Sequence, residues 1–491
     1  MSGADPATIW AFVGYLLLVV GIGIAAARFS SGGLGEFFLA GRKLNRVVVA
    51  LSAVSSGRSS WLLLGFSGMA YTMGAAAVWA AVGYIIAEFL LFWTYARRLR
   101  RFAGAKDCIT VPDFYAERFG EGNGTLRVLL VLIFLVFMTP YVGAQFLAGG
   151  KAFHSAFGFE QTTGNWITAA IVLAYTVLGG FLAVSLTDVV QACFMLFALI
   201  VLPVLAIADM GGLSPVLDQL RAMDGSLVDP MALGAGALIG FVGIGLGSPG
   251  SPHIIVRYMA IKNAEQLRGA AIIGTTWNVL MAAGALFIGL AARAAFPDVG
   301  LLPGGDKEQA LPQLAQQILH PALFGIIMAS IFAAIMSTAD SQLLVAASGV
   351  VRDIYEKRIL RGRKASPRSL VVISRVTIAV LVLIAVWVAG RGQVVFWLVL
   401  LAWAGTGAAL GPTSILALYW RGTTRAGVIA GMLAGIATVV VWRVYWHDLL
   451  YELVPAFAVG LLVTCLVSLV TRPPDDVQET FDLLTRPAEA E

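Results

Sequence analysis

Ser52-Ala53-Val54-Ser55-Ser56-Gly57-Arg58-Ser59-Ser60-Trp61 interrupts a run, from about Arg46 to Met73, that is otherwise apolar enough to cross a bilayer. Five serines, a glycine and an arginine are costly at membrane depth, because lipid offers neither backbone nor side chain a hydrogen-bonding partner. They are tolerated where they line a cavity, and a helix broken by polar residues is the form that membrane binding sites for small solutes take. The stretch therefore predicts an all-α polytopic membrane protein with a polar site inside its bundle. It also poses an electrostatic problem, the charge on Arg58.

Composition agrees. The 491 residues are 59% hydrophobic and 12% charged, with a mean hydropathy of +0.86, whereas soluble domains average about 25% charged residues. A net charge of +5 and a pI of about 9.1 do not point to nucleic acid, because the basic residues sit between apolar runs, where they set topology. Cys108, Cys193 and Cys465 are widely separated, and four scattered histidines add no ligand set, so neither a disulfide framework nor a metal centre is expected. No cluster of His, Cys or paired carboxylates falls at membrane depth, so an enzyme is not expected either, nor an organic cofactor. Met1 to Thr8 carries Asp5 and no Lys or Arg, while Arg28 follows the first apolar run. That order is opposite to a secretory signal peptide, and the run reads as a retained helix with its N-terminus outside.

Runs of spanning length fall at about 7–27, 46–73, 77–96, 127–152, 164–182, 187–209, 231–251, 268–295, 319–350, 369–389, 394–420, 425–445 and 453–471, about thirteen helices. Alternate loops differ in charge. One set carries Arg28, Arg42, Lys43 and Arg46; Arg97 to Lys106; Arg257, Lys262 and Arg268; the basic loop near 351–368 with Arg361, Arg363 and Lys364; and Arg421 and Arg425. The other set is nearly bare, with only Arg221 in 210–230 and Lys307 in 296–318. The positive-inside rule makes the rich set cytoplasmic, giving an outside N-terminus and an inside C-terminus, as an odd helix count requires. Residues 1–45 read as an extra helix and cytoplasmic loop, 46–420 as the core, 421–471 as two further helices, and 472–491, rich in Asp, Glu, Pro and Thr, as a disordered cytoplasmic tail.

A second run is also interrupted, at Gly243-Ile244-Gly245-Leu246-Gly247-Ser248-Pro249-Gly250-Ser251-Pro252-His253, whose glycines and prolines cannot hold a regular helical ladder. Five helices run from 46 to 209 and five from 231 to 420. Five is odd, so the two sets enter from opposite sides, and each begins with its broken helix. Broken helices at matching positions of inverted halves point to a midplane substrate site.

Ala334, Ser337, Thr338 and Ser341 share one face of the helix after the outer loop, with Asp340 at its edge; hydroxyls and carbonyls are hard ligands suited to a small cation. Asp188 stands at the expected cytoplasmic start of a helix, where either the helix dipole or an ion path accounts for it. Glu88 lies inside an apolar run and needs a partner or a watery cavity. Ser56 and Gly57 belong to the substrate side of the break, with Trp61 and Tyr141 as candidate aromatic walls.

Several motifs resemble the sodium/solute symporter family, most closely its bacterial sodium/proline branch. They are Phe37-Phe38-Leu39-Ala40-Gly41-Arg42, Thr110-Val111-Pro112-Asp113, Gly179 to Ser185 with Thr187-Asp188, Met336-Ser337-Thr338, Ser341-Gln342-Leu343-Leu344, and Ala402-Trp403-Ala404-Gly405 with Gly411-Pro412. The resemblance runs in order from about Glu36 to Val470. It implies a thirteen-helix protein with a LeuT-like core of two inverted five-helix repeats working by alternating access. It also implies a sodium site formed by the carbonyls of Ser55, Arg58 and Ala334 and the hydroxyls of Ser337 and Thr338, with Asp188 on the sodium path and Tyr141, Ile244, Ser248 and Pro252 touching substrate.

Two departures stand out. The proline branch has Asp-Met where this chain has Gly57-Arg58, a formal charge change of +2, and an aromatic pair where this chain has Ile244 and Ser248, which predicts a wider or differently shaped pocket. Three roles are open to Arg58. It can lend only its carbonyl and turn its side chain to an acid, Asp340 or Glu88; its guanidinium can replace sodium; or it can bind a substrate carboxylate, for which the guanidinium fork is suited. An unpaired second cation about 4 Å from sodium costs about 4 kcal/mol at an effective dielectric of 20, and the retained Ser337, Thr338 and Asp188 favour the first role.

The expected function is secondary active symport of a small organic solute, an amino acid such as proline or a related carboxylate, with sodium as the coupling ion, in the inner (plasma) membrane. The alternatives are a sodium-independent or proton-coupled transporter in which Arg58 stands in for sodium, and a solute sensor of transporter fold. The expected partners are the solute and the lipid bilayer, with no nucleic acid and no obligate protein partner.

Overall fold

The computed structural model describes residues 5–27, 33–120, 124–360, 365–392 and 394–485. Arg28, Arg361, Arg363, Lys364 and the tail beyond 485 lie outside the described residues. Every regular element among those described is helical, and an isolated bridge joins Leu44 to Ile261.

Pro6–Ala27 forms α1. Arg46–Ser60 forms α2, capped by the Asn45 side chain, and its ladder is broken at Ser59, whose φ of 50° and ψ of −174° cost an L-residue of order 1–3 kcal/mol. The chain continues through a π-helical turn, Trp61–Phe66, into α3 (Ser67–Met73). Next come α4 (Val78–Leu90), α5 (Ala96–Ala105), α6 (Val111–Phe119) and α7 (Thr125–Phe157). The following helix, α8 (Gln161–Asp209), is interrupted at Gly180 by a φ of 61°, a conformation open to glycine at little cost; a β-carbon there would also press on Phe37 at 3.0 Å.

The second expected break is present too. Helix α9 (Ala235–Gly243) passes into a 3-10 segment, Ile244–Gly250, and after an extended Ser251 the chain resumes as α10 (Pro252–Ala260), bent by 50°. The remaining long helices are α11 (Gln266–Ala295), α12 (Pro321–Ser348), α13 (Pro367–Ala389), α14 (Val395–Tyr419), α15 (Arg425–Tyr445) and α16 (Leu453–Leu469).

Among the described residues nine helices are long and apolar enough to cross a membrane, or ten with the bent α9–α10 pair. The difference from thirteen lies in three places. Arg46–Ala105 is one continuous apolar tract, α8 contributes a single span, and α16 has 17 residues, short of a full crossing. Burial separates centre from rim: 83% of the most apolar stretch is buried in α12 and α14, against 28% in α1 and 33% in α13 and α15.

Two loop expectations are corrected. The basic loop near 351–368 begins as a π-helical extension of α12, Gly349–Ile359, drawn in by buried Val351 and Asp353. The tail expected to be disordered after Arg472 contains a helix, α17 (Val477–Thr485), because Phe481 and Leu484 share one face and bury it against α5.

Candidate ion and substrate site

The break in α2 is held by α7. Gln145 Oε1 accepts from the Ser60 N–H at 3.1 Å and from its hydroxyl at 2.9 Å, and Tyr141 donates to Ser59 Oγ at 3.4 Å. The Trp61 N–H reaches Ser59 Oγ at 3.0 Å and the Arg58 carbonyl. The backbone N–H groups of Ser60 and Trp61 at the break are thereby satisfied.

On the other side α12 lies against the break. Ser337 Oγ is 3.2 Å from the carbonyls of both Ser55 and Ala334, and Thr338 Oγ1 donates to the Ser56 carbonyl at 2.9 Å. Four of the five expected ion ligands thus come together, with Ser56 O beside them. The fifth, the Arg58 carbonyl, accepts the Trp61 N–H and retains one lone pair.

The Arg58 side chain turns the other way. Its guanidinium carbon stands 3.7 Å from the centroid of the Tyr84 ring, and its Nε donates to Asn278 Oδ1 at 2.6 Å. Asn278 in turn donates to Glu88. Of the two acids expected to balance Arg58, Glu88 is therefore reached, through an amide rather than directly. Asp340 is not a partner: its carboxylate accepts from Tyr175 at 2.6 Å and from Ser341 at 2.9 Å, because α12 points it toward α8 rather than α4.

Asp188 lies two turns beyond the Gly180 break, inside α8 rather than at a helix start, so the helix-dipole account of it fails. Its Oδ2 accepts from Ser52 at 2.6 Å and from Arg257 at 2.8 Å. Arg257, counted in the sequence among the topology-setting cations, is fully buried. It donates to the hydroxyls of Ser52, Ser56 and Ser341, each at 2.6 Å, and to the His253 carbonyl. It escaped notice because the positive-inside rule counts a loop's cations but not where they point; the apolar flanks Ile254-Ile255-Val256 and Tyr258-Met259-Ala260 were the available signal. Asn278, Gln145, Tyr84 and Tyr175 were missed as well, each a lone polar group in an apolar helix.

A small pocket of about 10 Å³ lies on the substrate side, lined by Gly57, Trp61, Tyr84, Tyr141, Ile244, Val399, Leu400 and Trp403. It brings together four expected substrate residues, Gly57, Trp61, Tyr141 and Ile244. Ser56 is not among them, because its hydroxyl faces the ion side, donating to the Ser337 carbonyl at 2.8 Å. Ser248 and Pro252 are buried near the second break but do not line the pocket. The rings of Tyr84 and Trp403, 5.7 Å apart, stand side by side in its wall, and Trp403 Nε1 donates to the Ile244 carbonyl at 2.9 Å.

Comparison with known proteins agrees with this architecture. Residues 37–435 match the model of the sodium:solute symporter family. The chain is 36% identical over 485 residues to the sodium/proline symporter of Staphylococcus aureus strains JH9 and NCTC 8325, covering 95% of this chain and 93% of each relative. A Na+-coupled sialic acid symporter in a substrate-bound outward-open state superposes with a TM-score of 0.82 at 18% identity, over 96% of this chain and 99% of its own. The nucleobase-cation-symport-1 family transporter MHP1 gives 0.58 at 17% identity, over 92% and 99%. MhsT in complex with L-phenylalanine gives 0.58 at 14%, over 87% and 98%. The three structures share the fold, and the sequence matches carry the assignment: the chain belongs to the sodium:solute symporter family, whose members are integral membrane transporters and not enzymes.

Proposed function

We propose that the protein is a sodium-coupled symporter that imports a small organic solute, an amino acid such as proline or a related carboxylate, by alternating access. In this reading thirteen helices cross the inner (plasma) membrane, the N-terminus is outside and the C-terminus inside, and the core is two inverted repeats, 46–209 and 231–420. The observation that carries it is the convergence of Ser55, Ala334, Ser337 and Thr338 at the α2 break while the Arg58 guanidinium turns to Tyr84 and Asn278. The two buried cations beside this site each have an acid within reach. Arg58 is linked to Glu88 through Asn278, and Arg257 is paired with Asp188. A sodium ion held by the oxygens between them meets one arginine paired with an acid and one whose guanidinium is turned away to Tyr84, rather than an unpaired cation about 4 Å away worth about 4 kcal/mol of repulsion.

Uptake of labelled amino acids and short carboxylates into proteoliposomes, with imposed sodium or proton gradients, tests this. Sodium should drive accumulation, and Ser337→Ala should raise the half-saturating sodium concentration about tenfold, the equivalent of one lost ligand of about 1.4 kcal/mol. Equal accumulation with and without sodium overturns the coupling. A second reading, of a built-in cation, is favoured by the three serine hydroxyls already bonded to Arg257; it expects sodium-independent uptake that becomes sodium-dependent in Arg257→Met.

A further inference from the structure

Beyond α16 the chain turns back as α17, nine residues long, and lies on α5 at the arginine-rich end of the bundle. Phe481, 4% exposed, is its anchor. Two guanidinium carbons, of Arg118 on α6 and Arg421 just past α14, each stand 5.5 Å from the centroid of its ring, within cation–π range. At the edges Arg421 Nη1 donates to Gln478 Oε1 at 3.2 Å, and Lys106 Nζ pairs with Glu479 Oε1 at 3.6 Å. Residues 475–485 carry four acids and no Lys or Arg, opposite in sign to the groups they meet.

This docking has opposing terms. Arg118 is fully buried, yet neither Nη1 nor Nη2 has a hydrogen-bond partner among the described residues, and the buried Thr480 hydroxyl has none either. Burial pulls the Arg118 guanidinium down to about 10, and Asp476, just ahead of α17, is the charge that opposes this. Buried donors without acceptors offset part of what Phe481 contributes, so the helix is held by a small surplus. Arg118 and its neighbours on α5 also hold other helices by their ends. Arg118 Nε donates to the Ala417 carbonyl at 3.0 Å and Arg98 to that of Leu418 at 2.8 Å, in the last turn of α14. Arg100 donates to the carbonyls of Ile261 at 2.7 Å and Lys262 at 3.0 Å, at the end of α10. Cations are favourable at both helix C-termini. Helix α10 carries Arg257, and α14 carries Trp403 of the small pocket.

We propose that α17 is a detachable latch on this end of the bundle. Docked, it braces α5 and α6 and, through their arginines, the ends of α10 and α14; released, it leaves those ends free to move apart. Its small surplus of binding suits a contact that opens and closes, and an acidic segment on a basic face loosens as ionic strength rises. The latch goes beyond the transport reading and does not depend on it.

Hydrogen exchange on the full-length protein in detergent micelles tests this with neither substrate nor sodium, so the latch and the coupling reading fail separately. Val477–Thr485 should be protected in the wild type. Phe481→Ala removes both cation–π contacts and should speed exchange there about tenfold. Exchange along Pro252–Ala260 should rise about threefold in the same variant, with α13 unchanged. Glu479→Lys sets a like charge against Lys106 at an exposed position and should speed exchange in both segments about twofold; it decides alone should Phe481→Ala fail to fold. An unprotected Val477–Thr485 in the wild type overturns the latch, as does a tail that neither variant loosens. A freed tail with Pro252–Ala260 at its wild-type rate, or with α13 accelerated equally, overturns it too.

Discussion

Gly57 shows how one missing methyl shapes the site. A β-carbon there would lie 2.3 Å from the Tyr84 hydroxyl and 3.1 Å from Ile254 Cδ1, so a larger residue fits only if Tyr84 moves. Tyr84 is not free to do so, since its ring lies between the Arg58 guanidinium and the Trp403 indole. Gly57, Arg58 and Tyr84 therefore form one set. Gly57→Ala is expected to lower uptake at least about tenfold, or about 1.4 kcal/mol, and Tyr84→Phe in that background to restore part of it; wild-type uptake by Gly57→Ala alone removes the argument. The sequence made Gly57-Arg58 conspicuous but not its solution, because Tyr84, Glu88 and Asn278 meet Arg58 only across α2, α4 and α11. Arg257 was illegible for a related reason: its partners Ser52, Asp188 and Ser341 come from three other helices, and no local pattern links them to it.

At the scale of elements the runs 46–73, 369–389 and 425–445 reappear within a few residues of their expected bounds, because length and apolarity alone define a membrane helix. Breaks are harder. The Ser59 and Ile244–Gly250 breaks carry their own polar or Gly/Pro signal, whereas the turn at Gly180 falls inside a run read as ending at 182. The α2 break depends on Gln145, so Gln145→Leu leaves the Ser60 N–H and hydroxyl unpaired in the interior, at about 1–3 kcal/mol for the buried group. A lower melting temperature in detergent is the expected readout, and an unchanged one shows that the break is held elsewhere. A second junction gives a pH dependence. Helix α6 starts with a capping box between Thr110 and Asp113, and Asp113 also binds Arg127 at 2.6 Å, while Arg127 binds Asp353 on the extension of α12. Burial by itself raises the Asp113 carboxyl, but the neighbouring Arg127 and Arg352 outweigh it and hold the group below its usual range. A carboxyl lowered in the folded state stabilises above its unfolded value of about 3.9, and that contribution fades as pH falls through the folded value. The melting temperature should therefore drop below about pH 4, and Asp113→Asn should start lower at neutral pH and lose less on acidification. Parallel pH profiles for the two proteins contradict this assignment.

The whole molecule is closed on one side and approachable from the other. The pocket between Tyr84, Trp403 and Ile244 holds about 10 Å³, and a cavity beyond it, sharing Ile244 and Leu400 and lined by Phe241 and Trp397, holds about 560 Å³. Toward the arginine-rich side, Arg257 on α10 draws together Ser52 and Ser56 of α2, Asp188 of α8 and Ser341 of α12. If the protein works by alternating access, as proposed, inward opening has to separate these helices and break the Arg257 network. Its place beside Ser337 and Thr338 would also give a sodium ion, bound there as proposed, a mechanical role. An ion bridging the α2 carbonyls to the α12 hydroxyls straps the same two helices one turn away, and should hold the network shut until the ion leaves. Hydrogen exchange along Pro252–Ala260 reads both effects, because exchange speeds up about tenfold for each 1.4 kcal/mol of closure lost. Arg257→Gln is expected to accelerate exchange in α10 by about tenfold or more while leaving α16 unchanged, and saturating sodium to slow it in the wild type. Exchange in α10 that ignores both the substitution and sodium would place the inner barrier elsewhere; a response to the substitution alone would leave Arg257 as the seal and detach sodium from it.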